Sequence, residues 1–331
     1  MTMASSHYGN FHDPVGLLRR MLTSRNRAAF DSLALAATRV AATPLDLALA
    51  RREAEVVGSA APRSDQPMLL IVGGPRTGST LVYQCVCQQL DVSYLDNLTA
   101  AFTRSPISFA RLARRPMRPP ARVENFYGNT RGTSGPNDGF DLWNRWQGED
   151  RYRVDLDLMN RSADEMRHFF SAWSDEFARP FVNKNNRQVS IVPQLAEVLP
   201  NAVFLLIRRD PMMTAQSLLG ARELVQGSRT VAWGALGGDS DDDAGAVRAV
   251  ARQIAAIERH LDHAAAALPA DRVIETTYEK FCADSAGLLD RIGERIGAPP
   301  RPDRHALPEL TASTTVRLSA ADQAVVAAEL D

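Results

Sequence analysis

The chain has 331 residues, 45% of them hydrophobic, with 38 lysines and arginines against 39 aspartates and glutamates and a net charge of −1. That is enough apolar material for one large core or two smaller ones, and it excludes a chain disordered throughout. The balanced charge excludes a general nucleic-acid or membrane-surface binder, so any preference for anions must come from local placement of arginines. Residues 14–57 carry helical periodicity through Leu17, Leu18, Met21, Phe30, Leu33, Leu35 and Val40. Pro44 is expected to break that pattern, giving two or three helices before the sheet. The opening residues lack the basic start and apolar centre of a secretory segment. Leu33 to Ala50, interrupted by Arg39 and Asp46, reads as too short and too polar to span a bilayer. The expected organisation is a helical extension over residues 1–65 and an α/β domain over 66–331, in the cytoplasm. Three cysteines, Cys85, Cys87 and Cys282, fit packed thiols in a reducing compartment rather than a disulfide framework or a metal site.

Residues 68–90, MLLIVGGPRTGSTLVYQCVCQQL, read as strand, loop and helix. Met68 to Val72 is an apolar buried strand, and Gly73 with Gly74 permits a sharp turn at its carboxyl end. Backbone N–H groups and hydroxyls of Thr77, Gly78, Ser79 and Thr80 would then stand at the positive end of a helix, with Arg76 adding a full charge, a nest suited to phosphate. Gly73 and Gly78 have the separation of a Walker A loop, but its lysine position is Ser79, which weakens a nucleoside triphosphate reading. The string Pro75-Arg76-Thr77-Gly78-Ser79-Thr80 resembles instead the 5′-phosphosulfate loop of sulfotransferases that use 3′-phosphoadenosine 5′-phosphosulfate, PAPS.

Val92 to Leu95 is expected as a short second strand with Asp96 and Asn97 at its carboxyl end, where ligands collect in doubly wound sheets. The six arginines of residues 103–122 suit a soluble surface segment or a mobile lid. In the turn-rich and aromatic segment 127–146, Asp138 and Trp143 stand two and seven positions after Pro136. The arrangement resembles a segment in a bacterial branch of the same family. Residues 161–179 form an amphipathic aromatic helix, and Phe181 to Lys184 a strand ending in lysine, followed by Asn185-Asn186 where that family often has a threonine and a general-base histidine. Residues 202–222, AVFLLIRRDPMMTAQSLLGAR, again run from strand to helix. They resemble the family's 3′-phosphate segment, with Arg209 ending the strand and Ser217 eight positions on. Strand alternation allows only one of Arg208 and Arg209 to face the site, and the interval to Ser217 selects Arg209. Asp271 to Phe281 reads as a late strand, and Tyr278 resembles the family's tyrosine against the nucleotide.

The resemblance implies a P-loop-like three-layer fold, a central mainly parallel sheet flanked by helices. It implies sulfuryl transfer from PAPS to a hydroxyl or amine of a small-molecule, lipid or sugar acceptor, with no metal. Pro75 to Thr80 would hold the 5′-phosphate, Lys184 the bridging oxygen, Arg209 and Ser217 the 3′-phosphate. With Asn186 at the histidine position, Asp138 is the first choice of general base and Asp96 the second. Leu81 stands where many relatives stack a tryptophan on adenine, and the chain lacks their RKGxxGxW segment, for which Arg301, Arg304 or Arg317 would substitute. A P-loop kinase or NTPase, and a non-catalytic nucleotide-binding protein of the same fold, are the alternatives.

Overall fold

The computed structural model describes residues 12–23, 27–62, 66–126 and 128–330; the start of the chain, with the reading made of it, and Tyr127 lie outside them. Helices α1 (Pro14–Thr23) and α2 (Arg27–Ser59) precede strand β1 (Met68–Gly73), helix α3 (Ser79–Gln89), strand β2 (Ser93–Tyr94) and helix α4 (Pro106–Leu112). A small hairpin of β3 (Asn125–Phe126) and β4 (Asn129–Thr130) leads to α5 (Phe140–Gln147), α6 (Leu156–Arg161) and α7 (Ala163–Phe177). Then come β5 (Phe181–Lys184), α8 (Val192–Val198), β6 (Ala202–Arg208), α9 (Pro211–Gln226) and α10 (Asp243–Ala267). Strand β7 (Val273–Thr277) and helices α11 (Tyr278–Ala283), α12 (Ser285–Ile296) and α13 (Ala320–Leu330) complete the described chain.

The five principal strands form one parallel sheet in the order β2-β5-β1-β6-β7. Every residue of β1 is buried, as a central parallel strand covered by helices on both faces requires. The register pairs Ile71 with Lys184 and Gly73 with Ile207, so the ends of β1, β5 and β6 lie together at the carboxyl edge of the sheet. Strands β2 and β5 lie on one side of β1 and β6 and β7 on the other, and the crevice of such a sheet opens where the strand order diverges.

Two expectations for the N-terminal block need correction. Pro44 lies inside a continuous α2 of 33 residues and does not end it. The missing N–H leaves the Val40 carbonyl unpaired, but Val40 is 75% exposed, so water can satisfy that oxygen. The helix is held by its other face. Asp46 accepts from Arg104 N (3.1 Å) and Ser105 Oγ (2.7 Å), and Glu53 accepts from Ile107 N (3.1 Å) and Ser108 N (2.7 Å) at the first turn of α4. Uninterrupted, the stretch Ala29–Ser59 is also long and apolar enough to cross a membrane, contrary to the sequence reading, with a hydropathy of 1.4. In this structure its two buried carboxylates lie against the α/β body.

Arginines of the 103–122 segment pair with acids rather than face the crevice: Arg104 with Asp46, Arg111 with Glu176, and Arg115 with Asp96. The chain after α12 crosses back over α9, where Gln216 donates to Thr315 O (3.0 Å) and accepts from Arg317 N (2.7 Å). Val326 of α13 then packs into an apolar cluster with Leu218, Leu219 and Val250.

Candidate active site

The loop after β1 reaches its shape through two residues in the left-handed region, Arg76 at φ 69° and Gly78 at φ 84°. Glycine is required at 78 for a second reason: a Cβ there would lie 2.2 Å from Cδ2 of Tyr278. Gly78→Ala is therefore expected to destabilise the fold by at least about 1 kcal/mol from backbone conformation alone, read by denaturant unfolding. The first intrahelical bond of α3 runs from Val82 N to Gly78 O (3.1 Å), so the N–H groups of Ser79 to Leu81 precede it and stand at the helix's positive end.

The side chains of this loop are used differently from the sequence reading. The Thr77 hydroxyl donates to Gly74 O (2.8 Å) and is buried, shaping the loop from within instead of lining the crevice. Ser79 Oγ donates to Asn186 Oδ1 (3.2 Å), whose Nδ2 donates to Gly74 O (3.3 Å). Asn186 thus braces the loop from the position where a histidine was expected in relatives. The Arg76 side chain turns toward α9, where its Nε donates to Ser217 Oγ (3.0 Å).

Arg209 follows β6 and donates from Nη1 to the Arg76 carbonyl (3.0 Å), with its guanidinium 4.6 Å from the centre of the Tyr278 ring. Its neighbour Arg208 faces the other way, paired with Glu258 and with Asp262 (2.8 Å). Asp210 caps α9 by accepting from Met213 N (2.9 Å), which sets the helix so that Ser217 comes beside Arg76.

Two cavities meet at Arg209. The larger, about 650 Å³, is lined by Pro75, Arg76, Gly78, Ser79, Thr80, Asp138, Lys184, Arg209 and Tyr278. The smaller, about 390 Å³, holds Arg209, Ser217, Arg229, Ser313 and Arg317 between α9 and the returning C-terminal segment. Of the three arginines considered for closing the site, Arg317 lies there, whereas Arg301 is buried and engaged with Asp303 (3.1 Å), outside both cavities.

Lys184 ends β5, is 2% exposed, and donates from Nζ to Asp138 Oδ2 (2.6 Å). Asp138 Oδ1 is buried with no hydrogen-bond partner among the described residues. Burial pushes the Asp138 carboxyl above the ordinary aspartate range, and the Lys184 ammonium pulls part of the way back. The turn carrying Asp138 is fixed by an amide chain: Trp143 Nε1 to Asn183 Oδ1 (2.9 Å), Asn183 Nδ2 to Asn137 O (3.0 Å), and Asn137 Nδ2 to Asn97 Oδ1 (2.8 Å). Trp143 is fully buried, so its place in the segment is that of a brace.

Asp96 does not join this group. It is fully buried, accepts from Thr99 N (2.7 Å), and is paired with Arg115 (2.7 Å), so its carboxylate closes a loop outside the cavity lining.

Sequence reasoning missed Arg151, Arg187, Tyr152 and Trp233, which also line the larger cavity. Arg187 donates to Asn144 Oδ1 (3.0 Å), Gly148 O (2.8 Å) and Asp150 O (2.8 Å), anchoring the loop that brings Arg151 in; burial lowers its pKa to about 10. The one available signal was Arg187's position three residues after Lys184. Among the described residues the lining carries five cations, Arg76, Arg151, Lys184, Arg187 and Arg209, against Asp138 and Asp141, an excess of positive charge that favours anions.

A model described as the sulfotransferase family matches residues 67–303. The chain belongs to the sulfotransferase family. No curated protein matches it by sequence. Among solved structures, a sulfotransferase from Mycobacterium avium is similar at 14% identity over 99% of this chain and 83% of that one, with a TM-score of 0.51. Another, from Mycobacterium tuberculosis, is 12% identical over 95% of this chain and 85% of that one, with a TM-score of 0.53. At these identities the likeness is one of fold, and the fold is the P-loop-like three-layer architecture of the sulfotransferases, preceded here by helices.

Proposed function

We propose that the protein transfers a sulfuryl group from PAPS to an acceptor hydroxyl, holding the nucleotide across the two joined cavities. The observation that carries this reading is the contact between two segments 141 residues apart in sequence: Arg76 Nε on Ser217 Oγ at 3.0 Å, with Arg209 bonded to the Arg76 carbonyl. One doubly charged nucleotide can thus engage both the loop and α9. In this reading the N–H groups of Ser79 and Thr80 receive the 5′-phosphate, and Tyr278 flanks the nucleotide. Arg209 and Ser217 grip the 3′-phosphate, with Arg76 leaning toward that end from the loop. Arg229 and Arg317 supply the closure expected of the absent C-terminal segment.

The acceptor oxygen attacks sulfur in line, the bond from sulfur to the bridging oxygen breaks, and its electron pair stays on the departing 5′-phosphate. Lys184 stabilises that developing charge, while Asp138 takes the acceptor proton. The ion pair keeps Lys184 aimed into the cleft before substrate arrives.

Incubation with sulfur-labelled PAPS and a cell extract, followed by separation of labelled products, tests the activity. A labelled acceptor, formed by the parent and lost in Asp138→Asn, is expected. Binding of adenosine 3′,5′-bisphosphate without any transfer would favour the non-catalytic reading, and tighter binding of ATP would favour a kinase or NTPase. Arg317→Ala is expected to weaken adenosine 3′,5′-bisphosphate by up to about tenfold in calorimetry and leave adenosine 5′-monophosphate unaffected, because the residue is exposed and faces only the smaller cavity.

A further inference from the structure

The larger cavity has a wall that the family domain does not supply. The family match begins at residue 67, yet Leu17 and Met21 of α1 and Leu33 and Ala36 of α2 line the same space as Arg76, Asp138 and Lys184. This wall is fastened on three sides. Arg20 donates from Nε to Leu224 O (2.6 Å) and from Nη2 to Val225 O (3.2 Å) at the end of α9. Asp31 accepts from Gly132 N (3.0 Å) just after the β3–β4 hairpin. Arg39 pairs with Asp141, three residues beyond Asp138. Leu17 and Leu33 pack with Leu224 around Met21 and Ala29, so the wall is an apolar surface with a fixed position relative to the catalytic turn.

The wall also has a direction. Leu33, Ala36 and Val40 fall on one face of α2, and Leu47 continues it seven residues further. Val40 is 75% exposed and Leu47 55% exposed, so an apolar track leaves the cavity along the helix for roughly 20 Å. A sugar would gain nothing from such a surface, whereas every methylene laid on it is removed from water.

We infer that α1 and α2 form the acceptor wall, and that the acceptor is an amphipathic hydroxyl compound whose hydroxyl meets Asp138 while its alkyl body lies along Leu33 and Ala36. The inference rests on the sulfotransferase reading of the same cavity and narrows its acceptor to one of the classes named for it. The chemistry is the sulfuryl transfer already described, with the acceptor proton passing to Asp138.

The test is calorimetric titration of 4-alkylphenols, from methyl to octyl, into protein saturated with adenosine 3′,5′-bisphosphate. Affinity should rise by up to about fourfold with each added methylene inside the cavity and less where one side of the chain stays in water, until the chain outruns the wall. Leu33→Asp should flatten that rise. Ala36→Phe, at an exposed position where folding is not at stake, should end it at a shorter chain. Retained binding of the bisphosphate shows that each variant is folded, and Ala36→Phe decides the matter if Leu33→Asp is not. A parent protein that binds the bisphosphate but shows no dependence on chain length overturns the inference alone, as does a steep dependence unchanged by both substitutions. Failure of the parent to bind the bisphosphate overturns the underlying sulfotransferase reading as well.

Discussion

Asp138→Asn is expected to lower kcat for sulfuryl transfer by about 10²-fold or more while leaving adenosine 3′,5′-bisphosphate bound at least as tightly as in the parent. The amide can no longer accept a proton, whereas the surrounding turn keeps its bonds through Asn137 and Asn183. Lys184, 2% exposed, loses its anionic partner, which leaves a buried ammonium available to an incoming anion. A purely structural role for Asp138 would instead reduce binding and stability together. The pH profile provides an independent reading. Only the ionised carboxylate can act as base, and burial raises its pKa, so activity should climb with pH through a limb displaced upward from the ordinary aspartate value. Lys184 is the first group opposing that shift, so Lys184→Met should move the limb to still higher pH as well as lower kcat.

Arg209→Ala is expected to weaken adenosine 3′,5′-bisphosphate by about 10²-fold or more, measured by calorimetry. The residue lines both cavities, holds the Arg76 carbonyl at 3.0 Å, and lies over the Tyr278 ring. Its removal therefore takes away a cation at the 3′-end and a support of the phosphate loop together. Arg209→Lys should recover only part of the loss, since an ammonium can neither make two parallel bonds to phosphate nor present a flat face to the ring. Recovery to parental affinity by lysine would reduce Arg209 to a simple source of positive charge.

The strands and the two strand-to-helix turns after β1 and β6 were legible because their signals are local. An apolar run such as Met68–Val72 followed by two glycines specifies a buried strand and its turn without help from the rest of the chain. The choice of Arg209 over Arg208 likewise needed only strand alternation and the interval to Ser217, and the structure turns Arg208 toward Glu258 and Asp262. What failed depended on partners distant in sequence. Pro44 reads as a helix end until Asp46 and Glu53 are seen anchoring α2 to α4. Asp96 reads as a residue at a ligand-binding strand end until Arg115 closes on it. Thr77 resembles a phosphate ligand in its string, but its hydroxyl finds the nearer carbonyl of Gly74. Arg151 and Arg187 gave almost no signal, because they reach the cavity only through the loop packing around residues 144–150.

Adenosine 3′,5′-bisphosphate and adenosine 5′-monophosphate, titrated calorimetrically against the same protein, differ only in the phosphate that the Arg209 and Ser217 cavity would take. The account predicts that the bisphosphate binds at least about 10²-fold more tightly and that most of this ratio disappears in Arg209→Ala. Equal affinities for the two nucleotides in the parent protein would contradict it.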